Sequence, residues 1–283
     1  MKSPPGRRRL LWTADDLGYS GPVNEGIALA HRQGLVRNAS LLAGGPAFAG
    51  AVRLARQMPG LSLGVHLAAV EMRAVAPAAR LPGLAGPDGS LPRDFLRFFA
   101  RYATGSIRPS IVAIEWEAQI ARVRDAGLEP LYLDSHQHLH LAPGLFEVTV
   151  RLAKRFGIRA VRAPADAAPG RAGPMRAAML RALFGLGRRA RTAARRAGLF
   201  TPDGTVGVAE AGRLRASHLR AALPWMGPGV WELVSHPGMG EPAGSPAGEW
   251  GDRPAELEMA RDPALAEDLR RAGVEVVGYR DCL

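Results

Sequence analysis

The chain has 283 residues, 47% of them apolar, enough for one large α/β domain or two small ones. Its single cysteine, Cys282, excludes an internal disulfide and fits a reducing cytoplasm. The formal charge of +11 would suit a nucleic acid, a membrane surface or an anionic substrate, yet eight arginines and no acid lie between Arg171 and Arg196, so the excess is local. No apolar run approaches the roughly 20 residues of a membrane span. The N-terminal "MKSPPGRRRLLWTADD" lacks the apolar core of a signal peptide, so the expected location is the cytoplasm.

In chain order, the first β-like run is "LLWTA" from Leu10, and it ends on Asp15 and Asp16. Adjacent carboxylates repel unless one is neutralised; a metal held by one does that and leaves the other free as a base. A helical pattern over 23–33 follows, then a strand "NASLLA" from Asn38, a helix over 47–57, and a strand "LSLGVHL" from Leu61 that ends near His66. Residues 74–93, "APAARLPGLAGPDGSLPR" and its flanks, are rich in Pro, Gly and Ala and read as a loop over one end of the fold. After a helix over 111–126 comes "LYLDSHQHLH", a short apolar strand that runs into Asp134, His136, His138 and His140. His138 is expected on the same face as His136 if the strand continues, while His140 has the i+4 spacing of a helical metal pair.

A helix over 145–156 and a strand "IRAVRA" from Ile158, carrying Arg162, precede the arginine-rich insert at 165–201. Helical spacing there puts Met175, Met179, Leu183 and Leu186 on one side and Arg181, Arg188 and Arg195 on the other, with Gly185 and Gly187 weakening the helix. Such a basic amphipathic stretch can lie on an anionic membrane, and 174–198 is the expected place of peripheral contact; a solvated cap is the plainer alternative. The remaining strands are "TVGVAE" from Thr205, "VWELVSH" from Val230, ending on His236, and "VEVVGY" from Val274. His31 and His218 fall in helical stretches and read as surface or cap residues.

Alternating strands and helices predict an α/β fold with parallel strands, and seven to eight of them in one domain spanning 1–283 suit a distorted (β/α) barrel. No G-x-G-x-x-G or Walker lysine follows the first strand, which removes the usual nucleotide readings, and no nucleic-acid partner is expected. In a β/α barrel the catalytic groups stand at the carboxyl ends of strands, which is where the acids and imidazoles recur. One carboxylate and two imidazoles make a common open site for Zn²⁺ or a similar ion, and Asp16, His66 and His136 could supply them.

The ordered motifs "TADDLG", "GVHL", "DSHQHLH", "RAVRAP" and "ELVSHPG" resemble the YdjC-like carbohydrate deacetylases, also called the ChbG/HpnK family. The resemblance implies a divalent-metal hydrolase, using one Mg²⁺ or Zn²⁺, that removes an acetyl group from an N-acetylated sugar on a barrel related to that of the polysaccharide deacetylases. It implies Asp16, His66 and His136 as metal ligands, Asp15 as the base that activates water, His236 as the acid for the leaving amine, and Arg162 in its R-x-P stretch as the group orienting Asp15. Asp134 reads as a carboxylate orienting a ligand, and His138 as an orienting or substrate-touching group. One member of this family acts on a sugar attached to a hopanoid lipid, which a membrane-seated insert would suit. The expected partners are the N-acetylated sugar and a second copy of the chain in a homodimer. Two alternatives stay open: another barrel metallohydrolase, such as an amidohydrolase or phosphoesterase, and a non-catalytic basic binding protein.

Overall fold

The structure, a computed structural model, describes residues 6–164, 174–240 and 251–283. The strands are β1 Arg8–Leu17, β2 Asn38–Leu41, β3 Ser62–Leu67, β4 Tyr132–Ser135, β5 Ala160–Val161, β6 Gly204–Val206, β7 Gly229–Ser235 and β8 Val274–Val277. The helices are α1 Gly21–Arg32, α2 Phe48–Arg56, α3 Phe95–Ala103, α4 Pro109–Asp125, α5 Leu145–Arg155, α6 Pro174–Arg196, α7 Ala216–Ala222, α8 Arg253–Arg261 and α9 Pro263–Arg271. All the strand pairs are parallel, in the order β5-β4-β3-β2-β1-β7-β6, with β8 pairing the first half of β1. The curled sheet is the distorted barrel that the alternation predicts. A bridge from Ala160 to Phe200 ties edge strand β5 to the segment that leads into β6.

Strands β2 to β6, and β1 and β7 beyond their first residues, are buried on both faces, as parallel strands wrapped in helices must be. On β1, Leu10, Trp12 and Ala14 belong to the large core under the helices, while Leu11 packs inside the barrel with Tyr132, Ala160, Val230, Val277 and Tyr279. The period of two then puts Thr13 and Asp15 on the inner face above Leu11. The barrel is thus apolar at its floor and increasingly polar toward the carboxyl ends of its strands. Close packing at the floor requires Gly64: a Cβ there would stand 2.3 Å from the Tyr132 ring, which itself stacks on Tyr279 at 4.0 Å.

The Pro/Gly-rich segment after β3 is zipped at its base by Glu71 N donating to the Pro92 carbonyl (2.8 Å), Leu91 N to that of Met72 (3.0 Å) and Ala74 N to that of Gly89 (2.8 Å). Buried Glu115 on α4 accepts from Val75 N and Ala76 N, both at 2.9 Å, which fastens the loop to the barrel wall. Within the arginine-rich segment, residues 165–173 lie outside the described residues. The rest, α6, connects β5 to β6 and runs unbroken through Gly185 and Gly187. Its inward stripe is Leu180, Leu183, Phe184, Ala190 and Ala194, so only Met175 and Met179 of the expected apolar side are exposed, at 87% and 55%. The packing stripe follows the i+3, i+4 rhythm starting at Leu180, rotated from the stripe that begins at Met175.

Candidate active site

On a regular strand two neighbouring side chains face opposite ways, so Asp15 and Asp16 could not share a site. The β1–β2 ladder pairs Thr13 with Asn38 and Ala14 with Ala39 and then skips to Leu17 with Leu41, one residue extra on β1. This bulge carries Asp15 and Asp16, and Asp16 adopts a left-handed φ of 70°. Both carboxylates are thereby buried at the barrel mouth. Among the described residues the non-glycine positions with positive φ are Asp16, Glu71, Gln137 and His138, and three of these four touch one another through His136 or directly. Strained backbone of this kind concentrates at functional sites.

Asp15 is gripped by both arms of Arg162, Nη1 to Oδ2 at 2.7 Å and Nη2 to Oδ1 at 2.8 Å. Burial alone would raise its carboxyl; the Arg162 guanidinium overcomes this and holds the group below the usual carboxylate range. The same buried guanidinium reaches Asp134 Oδ2 at 2.8 Å and Glu232 Oε1 at 3.0 Å. Register explains the next contact: His66 and Asp134 are direct partners in the β3–β4 ladder, and His66 Nδ1 lies 2.8 Å from Asp134 Oδ1. Ser40 donates to the other Asp134 oxygen at 2.6 Å. With Nδ1 so engaged, His66 Nε2 faces Asp16 Oδ1 at 3.6 Å.

His136 brings Nδ1 to the same Asp16 oxygen at 3.1 Å and Nε2 to Glu71 Oε2 at 3.0 Å. Burial would push this imidazole down, but the bonds to Asp16 and Glu71 raise it to about 10. Burial likewise opposes the charge on Asp16, and Arg253 on α8, donating to Oδ2 at 2.7 Å, holds that carboxyl well below its usual range. Asp16, His66 and His136 each offer a donor atom within 4.8 Å of the others. Donors about 2.1 Å from a tetrahedral Zn²⁺ would stand about 3.4 Å apart, and the two measured separations straddle that value. The residues therefore fit a divalent cation: one carboxylate and two imidazoles, each imidazole holding a carboxylate with its other nitrogen. The second such group, Asp15, His66 and Asp134, fits less well, because Arg162 already neutralises both of its carboxylates.

The strand β4 stops at Ser135, and Gln137 and His138 turn left-handed with φ of 55° and 54°, so the expected continuation of the strand through His138 does not occur. The turn nevertheless leaves His138 close enough to Asp15, Arg162, His66 and His236 to feel their charges, with a buried, unpartnered Nδ1. His140 is fully buried elsewhere: Nδ1 meets Ser135 Oγ at 2.6 Å and Nε2 donates to the Arg162 carbonyl at 2.8 Å. It pins the turn to β5 and never meets His136 as a helical pair. His236 follows β7 at the level of Asp15, since Ala14 pairs with Ser235. Its backbone N donates to buried Glu256 at 2.6 Å, and its Nδ1, buried without a hydrogen bond, lies 3.9 Å from the same carboxylate oxygen. His31 bonds the Val36 carbonyl and His218 accepts from Arg215 N, both away from the site.

Four site groups escaped the sequence reading. Glu232 left a signal, a charged residue inside the apolar run "VWELVSH". Glu71 lies five residues past His66 on a loop, while Arg253 and Glu256 arrive from a helix beyond the last motif, and no local pattern marks them. Arg253 reaches Asp16 because Gly26 and Gly238 let α1 and the turn after β7 touch: a Cβ on Gly26 would stand 2.4 Å from the Gly238 Cα, and one on Gly238 3.1 Å from Arg253 Cβ.

A protein of Mus musculus named carbohydrate deacetylase is 33% identical over 298 residues, covering 97% of this chain and 95% of its own length. A protein of the same name from Geobacillus stearothermophilus is 29% identical and covers 97% of this chain and 98% of its own. The fold is shared with a crystal structure from Enterococcus faecalis V583, provisionally described as a cellobiose-phosphate cleavage protein (TM-score 0.76, 22% identity, 98% of this chain and 99% of that one). The model of the YdjC-like family matches residues 9–271, from the strand that carries both aspartates to the last helix, and the chain belongs to that family.

Proposed function

We propose that this protein is a divalent-metal-dependent carbohydrate N-deacetylase that hydrolyses the acetamide of an amino sugar to acetate and a free amine. One observation carries the reading: a carboxylate–imidazole–imidazole donor set directly adjoins a second carboxylate, Asp15, that a buried arginine holds ionised and in fixed orientation. The names of the relatives support the same chemistry.

Asp16, His66 and His136 would hold the cation, and two imidazoles beside one carboxylate suit Zn²⁺ better than Mg²⁺. When bound, such an ion polarises the acetamide oxygen and lowers the pKa of water into the neutral range. Asp15 accepts the proton of the attacking water. The clamp of Arg162 makes Asp15 a weak base, adequate only for a water already made acidic, and in return fixes its oxygens toward the site. His236, just past the end of the neighbouring strand β7, gives a proton to the departing nitrogen as the C–N bond breaks. His138, whose buried Nδ1 has no hydrogen-bond partner, would turn to bind the substrate. Water thus supplies the oxygen of acetate, and one proton ends on the amine.

Peripheral contact of α6 with an anionic membrane belongs to the same reading. Exposed Met175 and Met179 at the start of a helix that carries arginines and no acid support it. The acetylated sugar would then ride on an oligosaccharide or a lipid. Acetate release from N-acetylglucosamine oligosaccharides and from lipid-linked N-acetylglucosamine, read beside metal analysis, tests the assignment. Asp15→Asn should cut acetate release by about 10²–10⁴-fold with metal content nearly intact, and His136→Ala should lose both. Full activity in Asp15→Asn would remove Asp15 as the base. Release of phosphate without acetate would favour a phosphoesterase.

A further inference from the structure

We infer that Glu71 is a positioning residue for the metal, the outer carboxylate that fixes His136 as an Nδ1 donor and ties the 71–92 loop to the occupied site. The inference rests on the metal-dependent reading above and deepens it.

The two imidazoles of the donor set are presented in opposite ways. His66 turns Nε2 toward Asp16 and gives Nδ1 to Asp134, a residue of the barrel wall. His136 does the reverse, Nδ1 toward Asp16 and Nε2 to Glu71 Oε2 at 3.0 Å. A carboxylate on the outer nitrogen sets the tautomer, holds the ring plane and strengthens the ligand. Asp134 does this from β4, where the ladder fixes it; Glu71 does it from a loop.

Three features show Glu71 to be built for that contact. Its side chain is only 13% exposed although it sits outside the strands. Its backbone has a φ of 65°, a conformation a side chain rarely adopts unless its surroundings impose it. Its second oxygen, Oε1, accepts from the side-chain amide of Gln137, whose own φ is 55°, so the carboxylate spans two successive residues of the ligand turn. Behind it, Glu71 N bonds the Pro92 carbonyl at 2.8 Å and closes the loop that carries Arg73 and Arg80. A cation that draws His136 Nδ1 polarises its Nε2–H toward Glu71, so ion binding and loop docking stabilise each other, and the coupling is reciprocal.

The test uses the full chain loaded with Co²⁺ or Zn²⁺ and needs no turnover. Glu71→Gln should weaken the ion by about 10–100-fold in chelator competition and shift the visible bands of the Co²⁺ form, with Glu71→Asp restoring part of both. In the wild type, the ion should slow tryptic cleavage after Arg73 and Arg80; in Glu71→Gln this protection should disappear. Circular dichroism of the metal-free forms checks folding, and should Glu71→Gln fail to fold, Glu71→Asp is read in its place. Unchanged affinity and bands in a folded variant, or equal loop protection, would overturn the role of Glu71 and leave the deacetylase reading standing. A wild-type chain that binds neither ion would instead strike the metal-dependent reading itself, and this inference with it.

Discussion

Three histidines within five residues take three different parts because each ring nitrogen meets a different neighbour. His136 faces two carboxylates, His138 keeps an unpartnered nitrogen among charges, and His140 spans Ser135 and a main-chain carbonyl. Donation from His140 Nε2 to the Arg162 carbonyl requires the neutral ring to carry its proton there, leaving Nδ1 to accept from Ser135. Burial pushes this ring down to about 3, against an ordinary value near 6.5, so the unfolded chain binds its proton first as the pH falls. The stability it contributes is complete above about pH 6.5 and is lost toward pH 3, at about 1.4 kcal/mol per unit. Denaturant unfolding of the metal-free protein between about pH 4 and 6 should therefore show a slope smaller by about one proton in His140→Asn than in the wild type. Equal slopes would mean that His140 titrates normally. His138, also pushed to about 3 by burial and by Arg162, titrates in both proteins and cancels in the comparison.

Strand-level features explain why the carboxylates converge. The bulge in β1 turns two neighbours inward, and the β3–β4 register delivers Asp134 to His66. Helix α8 contributes through a close approach of backbones at Gly26 and Gly238, which leaves room for Arg253 to pass inward. Gly26→Ala would force a methyl to 2.4 Å from the Gly238 Cα, so α1 must move off the turn after β7. The expected cost is about 1–3 kcal/mol in denaturant unfolding. Gly185→Ala on α6, where nothing lies within 4 Å of the added Cβ, should instead stabilise by about 0.5–1 kcal/mol. A neutral Gly26→Ala would show that this contact does not constrain α8.

Over the whole molecule seven of the eleven net positive charges lie on one crossover helix. No helix among the described residues is long and apolar enough to cross a membrane. The membrane association proposed above is a surface contact through this charge. Co-sedimentation should be seen with anionic vesicles and not with neutral ones, and should weaken as ionic strength rises from about 0.01 M to about 1 M, where the screening length falls to about 3 Å. Exposed Arg181 and Arg189 replaced together by Glu should abolish it, and Met175→Ser with Met179→Ser should weaken it. Equal sedimentation with neutral vesicles, or none with anionic ones, would remove the membrane contact. Inside, the gradient from an apolar floor to a mouth of acids and imidazoles follows from strands whose alternate residues point inward.

The order of the strands, the parallel barrel and the level at which its polar groups stand were legible in the sequence, because each depends on local periodicity and on short runs of residue types; α3, α7, α8 and α9 were not read from it. Eight apolar runs became eight strands, and Asp15, Asp16, His66, His136, Arg162 and His236 meet at one end. Tertiary structure alone decided that Asp16 turns inward, that His140 turns away, and that Glu71, Glu232, Arg253 and Glu256 join. A bulge, a left-handed turn and a glycine contact are set by what packs against the chain from distant segments, and such contacts leave no period in the residues that make them.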